Sequence, residues 1–165
     1  MSMRSPRRRR AADPGLARTV ARSALVGAAS GMRSQLGMAA VVLRTDKNRL
    51  PAFLRTPAAT RAVTVAAGAE LLADKSPRVP DRLLPPSLAA RFALGGLAGG
   101  LLAHAERRPA APAAVVASVA AVLVAKVSHD LRAWAARTVP DRLVAVAEDG
   151  LAIALALAGT RPGTR

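Results

Sequence analysis

The chain contains no cysteine and no tyrosine, and aromatic residues make up only 2% of it. Without thiols neither a disulfide framework nor a thiolate metal site is available. The two histidines, His104 and His129, are too few for a histidine-built metal centre without carboxylate help. Acids are scarce too, with 10 Asp and Glu against 25 Lys and Arg and a formal net charge of +15. That balance invites nucleic acid as a partner, yet a single-stranded binder needs aromatic platforms for stacking, and only Phe53, Phe92 and Trp134 exist. No nucleic acid is therefore expected. The Gly-x-Ser-x-Gly elbow, the Walker phosphate loop and the His-Glu-x-x-His pair are also missing, and the Gly95-Gly96 region lacks the lysine and preceding strand of a phosphate cradle. Neither an enzymatic activity, a metal nor a cofactor is expected.

What is present is apolar. The chain is 52% hydrophobic and its mean hydropathy is +0.24 although 21% of residues are charged, so the charges must be segregated. Ala, Leu and Val supply most of the apolar content, which favours helices over strands. Basic clusters flanking apolar runs match attraction to anionic lipid headgroups and the positive-inside bias. The expected fold class is all-α: a small integral membrane helical bundle of four or five short transmembrane helices. Residues 1–12 form a disordered basic arm, 13–160 the helical membrane domain and 161–165 a polar tail.

Asp13-Pro14 opens a first helix with an acceptor at the N-cap and proline at N1. Its most apolar part runs from Ser23 to Leu43, long enough to span a bilayer, but Arg33 splits it. Thr56-Pro57 repeats the capping signature for a second helix to about Ala73, and Ser87 is the expected cap of a third, through about His104. Ala113 to Val127 is almost wholly apolar and continues as helix toward Arg137, and Pro140-Asp141 starts a last helix ending at Gly159. Ser23, Gly27 and Gly31 form one line of small residues, and Gly95 with Gly99, and Gly96 with Gly100, form two more. Such ridges let helices approach closely in lipid, by internal packing or in a homo-oligomer.

A sixty-residue repeat runs through the second half: Val79-Pro80-Asp81-Arg82-Leu83 recurs as Val139-Pro140-Asp141-Arg142-Leu143, and Glu70 corresponds to Asp130. It implies a tandem two-helix unit with both copies in the same orientation. Two arrangements stay open, five spans or four with a hairpin turning near Arg33. Both put more basic residues on the N-terminal side, the hairpin the more so, which predicts a cytoplasmic N-terminus.

An arginine inside an apolar run costs roughly 2.5 to 3.5 kcal/mol unpaired, so Arg33 needs a partner. Glu70 is the first candidate and Asp130 the second. With Asp74, one turn after Glu70, they make an expected polar cluster of Arg33, Glu70, Asp74 and Asp130 that either locks the helices together or lines a small-solute or ion pathway. Lys126 and Asp130 are spaced to pair, His129-Asp130 has the makings of a proton relay, and Glu148-Asp149 is explained by the helix dipole alone.

Gly31-Met32-Arg33-Ser34, then Glu70 with Asp74-Lys75-x-Pro77-x-x-Pro80, then Glu148-Asp149 carry a resemblance. Over roughly Ser23 to Gly159 the chain resembles a family of small bacterial integral membrane proteins known only as a domain of unknown function. The resemblance implies a multi-pass helical protein of the plasma membrane and brings no ligand, activity or catalytic residue with it. The rival expectation is a membrane-anchored interaction protein that uses its basic arm and loops.

Overall fold

The structure is a computed structural model that describes residues 13–73, 84–135 and 137–162. Six α-helices and no strand are present among the described residues: α1 Pro14–Met32, α2 Leu36–Arg44, α3 Pro57–Ala73, α4 Pro85–Ala105, α5 Ala110–Ala135 and α6 Asp141–Gly159. The fold is all-α as expected, and the first apolar run is divided into two helices at Arg33, as in the hairpin arrangement. Among the described residues only α4 and α5 are both long and apolar enough to cross a membrane.

α1 starts as its sequence dictates, with Pro14 in its first turn and the Asp13 carboxylate accepting the Gly15 N–H at 2.9 Å. It stops at Arg33, which is extended (φ −138°, ψ 107°), and α2 turns back along it. Gly37 permits the reversal, because a Cβ there would run into Ser30 Oγ and the Val26 carbonyl. Arg33 thus sits at a hairpin turn. Two short 3-10 turns, Lys47–Arg49 and Ala52–Leu54, lead to α3, whose cap is Thr56 Oγ accepting the Ala59 N–H at 3.1 Å. α4 begins two residues before the expected Ser87, with prolines filling its first turn where no N–H is needed.

Helix directions alternate. Glu70 at the end of α3 and Arg91 near the start of α4 both reach the α1 turn, whereas Glu106 after α4 reaches Arg22 low on α1. The sixty-residue correspondence therefore pairs two hairpins of the same direction, α3 with α4 and α5 with α6. Its first five-residue copy, Val79 to Leu83, and Asp74 lie outside the described residues, as do the arm 1–12 and residues 163–165.

α1 is the hub, touching α2, α4, α5 and α6. The contacts are made by small residues. A Cβ on Gly27 or Gly31 would collide with the carbonyl oxygens of Ala117 and Ala121 on α5, and one on Gly95 or Gly99 would meet the Ala121 and Ala117 side chains from the other side. The expected ridges are thus occupied within the chain, with Ala117 at the meeting point of α1, α4 and α5.

On α5 and α6 the distribution of large and small residues is inside out. Along α5, Ala113, Ala117, Ala121 and Ala125 are buried, whereas Val115, Val119, Leu123, Val127 and Leu131 on the opposite face are 47% to 62% exposed. α6 repeats the pattern, with Ala152 and Ala156 inward and Leu143, Val146, Leu151, Ile153 and Leu157 outward. A water-soluble fold buries its bulky aliphatic side chains preferentially. On α5 and α6 backbone proximity, not side-chain volume, makes the buried face, whereas Val26, Val41 and Leu102 form an aliphatic core between α1, α2 and α4.

Candidate functional site

Charged side chains gather in two layers at opposite ends of the bundle. The first surrounds the α1–α2 turn. Arg33, 3% exposed, donates from Nε to Asp149 Oδ1 on α6 at 2.7 Å, with Nη2 at 2.5 Å from the same oxygen. Glu70 accepts the backbone N–H groups of Ser34 and Gln35 at 2.7 and 2.8 Å, one on each carboxylate oxygen. A helix start leaves such N–H groups without intrahelical partners and favours negative charge, so Glu70 on α3 caps α2 across space. Arg91, 5% exposed, donates to the Gly31 carbonyl at 2.5 Å, satisfying an acceptor in the last turn of α1.

Of the expected cluster, Arg33 and Glu70 both lie at this turn, Asp130 stands apart from it, and Asp74 lies outside the described residues. Arg33 finds its carboxylate at Asp149, while Glu70, the first partner expected, is held by backbone amides. Asp130, the second, stands on the exposed side of α5 with Lys126 Nζ at 3.1 Å and His129 Nδ1 at 3.4 Å. Asp149 lies too far into α6 for the dipole account, since the acid in the first turn is Asp141. Two acids two turns inside an apolar helix were the available signal. Arg91 gave none beyond being a cation in a helix of small residues.

Beside this layer Arg132 clamps the α5–α6 turn, with Nε and Nη2 each 3.0 Å from the Asp141 carboxylate and Nη1 3.4 Å from buried Glu148. α5 and α6 splay apart here around a cavity of about 480 Å³ lined by Met32, Leu131, Val139, Leu143 and Leu151, with Arg132 and Glu148 at its polar edge.

The second layer lies at the other end. Arg22 pairs with Glu106 and donates from Nε to the Gly159 carbonyl at 2.9 Å, and buried Thr19 donates to Glu106 at 2.5 Å. Arg108 pairs with Asp13. The Gly15 N–H first, and then the Arg108 guanidinium, hold the Asp13 carboxyl below the usual carboxylate range. The polar loop 45–56 is a built element of this end. Leu50 is 1% exposed, the Asp46 carboxylate accepts the Asn48 N–H at 3.0 Å, and Arg55 Nε donates to the Leu50 carbonyl at 2.8 Å.

α4 ends here in a Schellman turn: the Arg107 N–H bonds the His104 carbonyl at 3.0 Å and the Arg108 N–H that of Ala103 at 2.9 Å. The residue such a turn places in left-handed conformation is usually glycine, but here it is Arg107, with φ 56°. Among the described residues no group of three or more His, Cys, Asp or Glu is arranged to hold a metal ion. No family model, curated protein or solved structure matches the chain.

Proposed function

We propose that the chain is an integral membrane protein of a bacterial plasma membrane that works as a non-enzymatic scaffold. Its polar cluster is structural and its basic end is the working surface. The observation that carries the reading is the inside-out packing of α5 and α6, with alanine within and Val, Leu and Ile without. Lipid removes the penalty for bulky exposed aliphatic groups and rewards close backbone approach. α4 and α5 span by composition. α1 and α6 accompany them, because Arg33 with Asp149, and Arg22 with Glu106 and the Gly159 carbonyl, meet each other rather than acyl chains. At 19 residues each, α1 and α6 are about 28 Å long, close to the roughly 30 Å of a hydrocarbon core.

Both described chain ends, Asp13 and Pro162, lie at the basic end. With the positive-inside rule this supports a cytoplasmic location for that end. The protein should stay in the membrane pellet through alkaline carbonate and enter solution only with detergent. Release by carbonate alone contradicts the reading. The transport alternative makes a different prediction for Glu70→Gln: unchanged thermal stability with a proton- or cation-coupled flux abolished. The structural reading predicts lowered stability instead, because a neutral amide replaces the charge on the α2 cap.

A further inference from the structure

We infer that the basic end carries a binding site for a phosphoryl anion, formed by two adjoining cavities that share Arg49. The first, of about 340 Å³, is walled by Arg22, Arg44 and Arg49 together with Asp46, Glu106 and Thr160. The second, of about 260 Å³, adds Arg55, His104 and Arg107 on the other side of Arg49.

The charges divide into those that are engaged and those that are not. Glu106 is held by Arg22 and Thr19, Asp46 turns one oxygen to the Asn48 N–H, and Arg55 is bound through Nε to the Leu50 carbonyl. Arg44, Arg49 and Arg107 have no ion-pair or side-chain hydrogen-bond partner among the described residues. Three unengaged, exposed guanidinium groups converge beside the two cavities from three places, Arg44 at the end of α2, Arg49 on the loop pinned by buried Leu50 and Arg107 in the turn after α4, and together make an anion-receptive face. Arginine suits phosphoryl oxygens because its planar fork donates two parallel N–H bonds.

Arg107 is a second and independent observation. Its left-handed backbone is one that glycine adopts freely, so an arginine here costs fold stability, and the residue lines the second cavity. Phosphoryl groups at this end have two sources, a lipid headgroup or a free phosphate. The lipid source rests on the membrane placement proposed above, whereas the free anion does not.

The test uses the full chain in a neutral detergent, with thermal unfolding followed against dihexanoyl phosphatidylglycerol, dihexanoyl phosphatidylcholine and inorganic phosphate. Phosphatidylglycerol should raise the unfolding temperature and phosphatidylcholine should not. Arg44→Ala and Arg49→Ala should each weaken binding about tenfold, the loss of one charge-assisted contact. Arg142→Ala, which removes the same charge from the opposite end, should leave binding unchanged. Arg107→Gly should weaken binding while raising the unfolding temperature of the free protein, opposite signs that a purely structural residue does not give. Competition by inorganic phosphate makes the free anion a sufficient ligand, and its absence assigns the site to the headgroup. No stabilisation by phosphatidylglycerol or phosphate, or an equal loss in Arg142→Ala, overturns the site. A chain that is soluble without detergent yet binds phosphate through Arg49 keeps the site and removes the bilayer.

Discussion

The two ends of the bundle hold similar side chains and use them differently. Around the α1–α2 turn, Arg33 has Asp149, Glu70 has two backbone amides, Arg91 has the Gly31 carbonyl and Arg132 has Asp141. At the other end Arg22 and Arg108 are paired with Glu106 and Asp13, but Arg44, Arg49 and Arg107 stand beside open cavities. Charge that is matched internally fixes the chain. Arg137 and Arg142 at the first end are exposed but line neither of these cavities; charge left unmatched beside a cavity is available to something outside the chain.

The comparison breaks most visibly at Arg33. Arg33→Ala leaves Asp149 without its guanidinium in a largely enclosed site and should cost about 3 to 5 kcal/mol, read by chemical unfolding in detergent. Replacing the pair together, Arg33→Met with Asp149→Leu, should recover part of that loss, because the desolvation of both charges disappears with them. Glu70→Gln comes next, at about 1 to 2 kcal/mol, since the amide oxygen accepts one N–H where the carboxylate accepts two and the charge facing the α2 start is gone.

At the basic end the sign reverses. Arg107→Gly should stabilise the fold by about 1 kcal/mol by relieving the left-handed backbone. The smallest effect is at Asp13, which is exposed. Its carboxyl titrates lower in the folded chain than in the unfolded one, so its contribution is fully present above the ordinary carboxylate range and fades as pH falls through the lowered value. The stability difference between wild type and Asp13→Asn, measured as unfolding temperature against pH, should therefore be small at neutral pH and vanish in acid.

The sequence made the helices and their contact faces readable because both follow short spacings. Ser23, Gly27 and Gly31 recur every four residues, Gly27 and Gly31 meeting α5 and Ser23 meeting Gly99 on α4; Asp13-Pro14 and Thr56-Pro57 mark their helix starts locally. Arg33 announced that something had to answer its charge. Its Asp149 partner was not readable, because that residue lies 116 residues away and nothing in the local pattern sets the rotation of α6 against α1. Glu70 was hidden for a related reason. Its ligands are backbone amides, which every residue but proline carries, exposed only once Arg33 breaks the first apolar run. Arg44, Arg49 and Arg107 looked like ordinary solvated charges in separate stretches, because only the fold brings the end of α2, the loop 45–56 and the turn after α4 to the same cavities.

The central claim is that the outward aliphatic faces meet lipid while the basic end meets water. With no native cysteine, single substitutions report on this directly. Val119→Cys, at a position 47% exposed to the surroundings of the bundle, and Arg49→Cys would be treated in native membrane vesicles, made permeable without detergent, with a charged maleimide. The account predicts rapid labelling at Arg49→Cys and none at Val119→Cys until the protein is denatured. Equal labelling at both would contradict it, because a side chain that is exposed and reached by water is not in a bilayer.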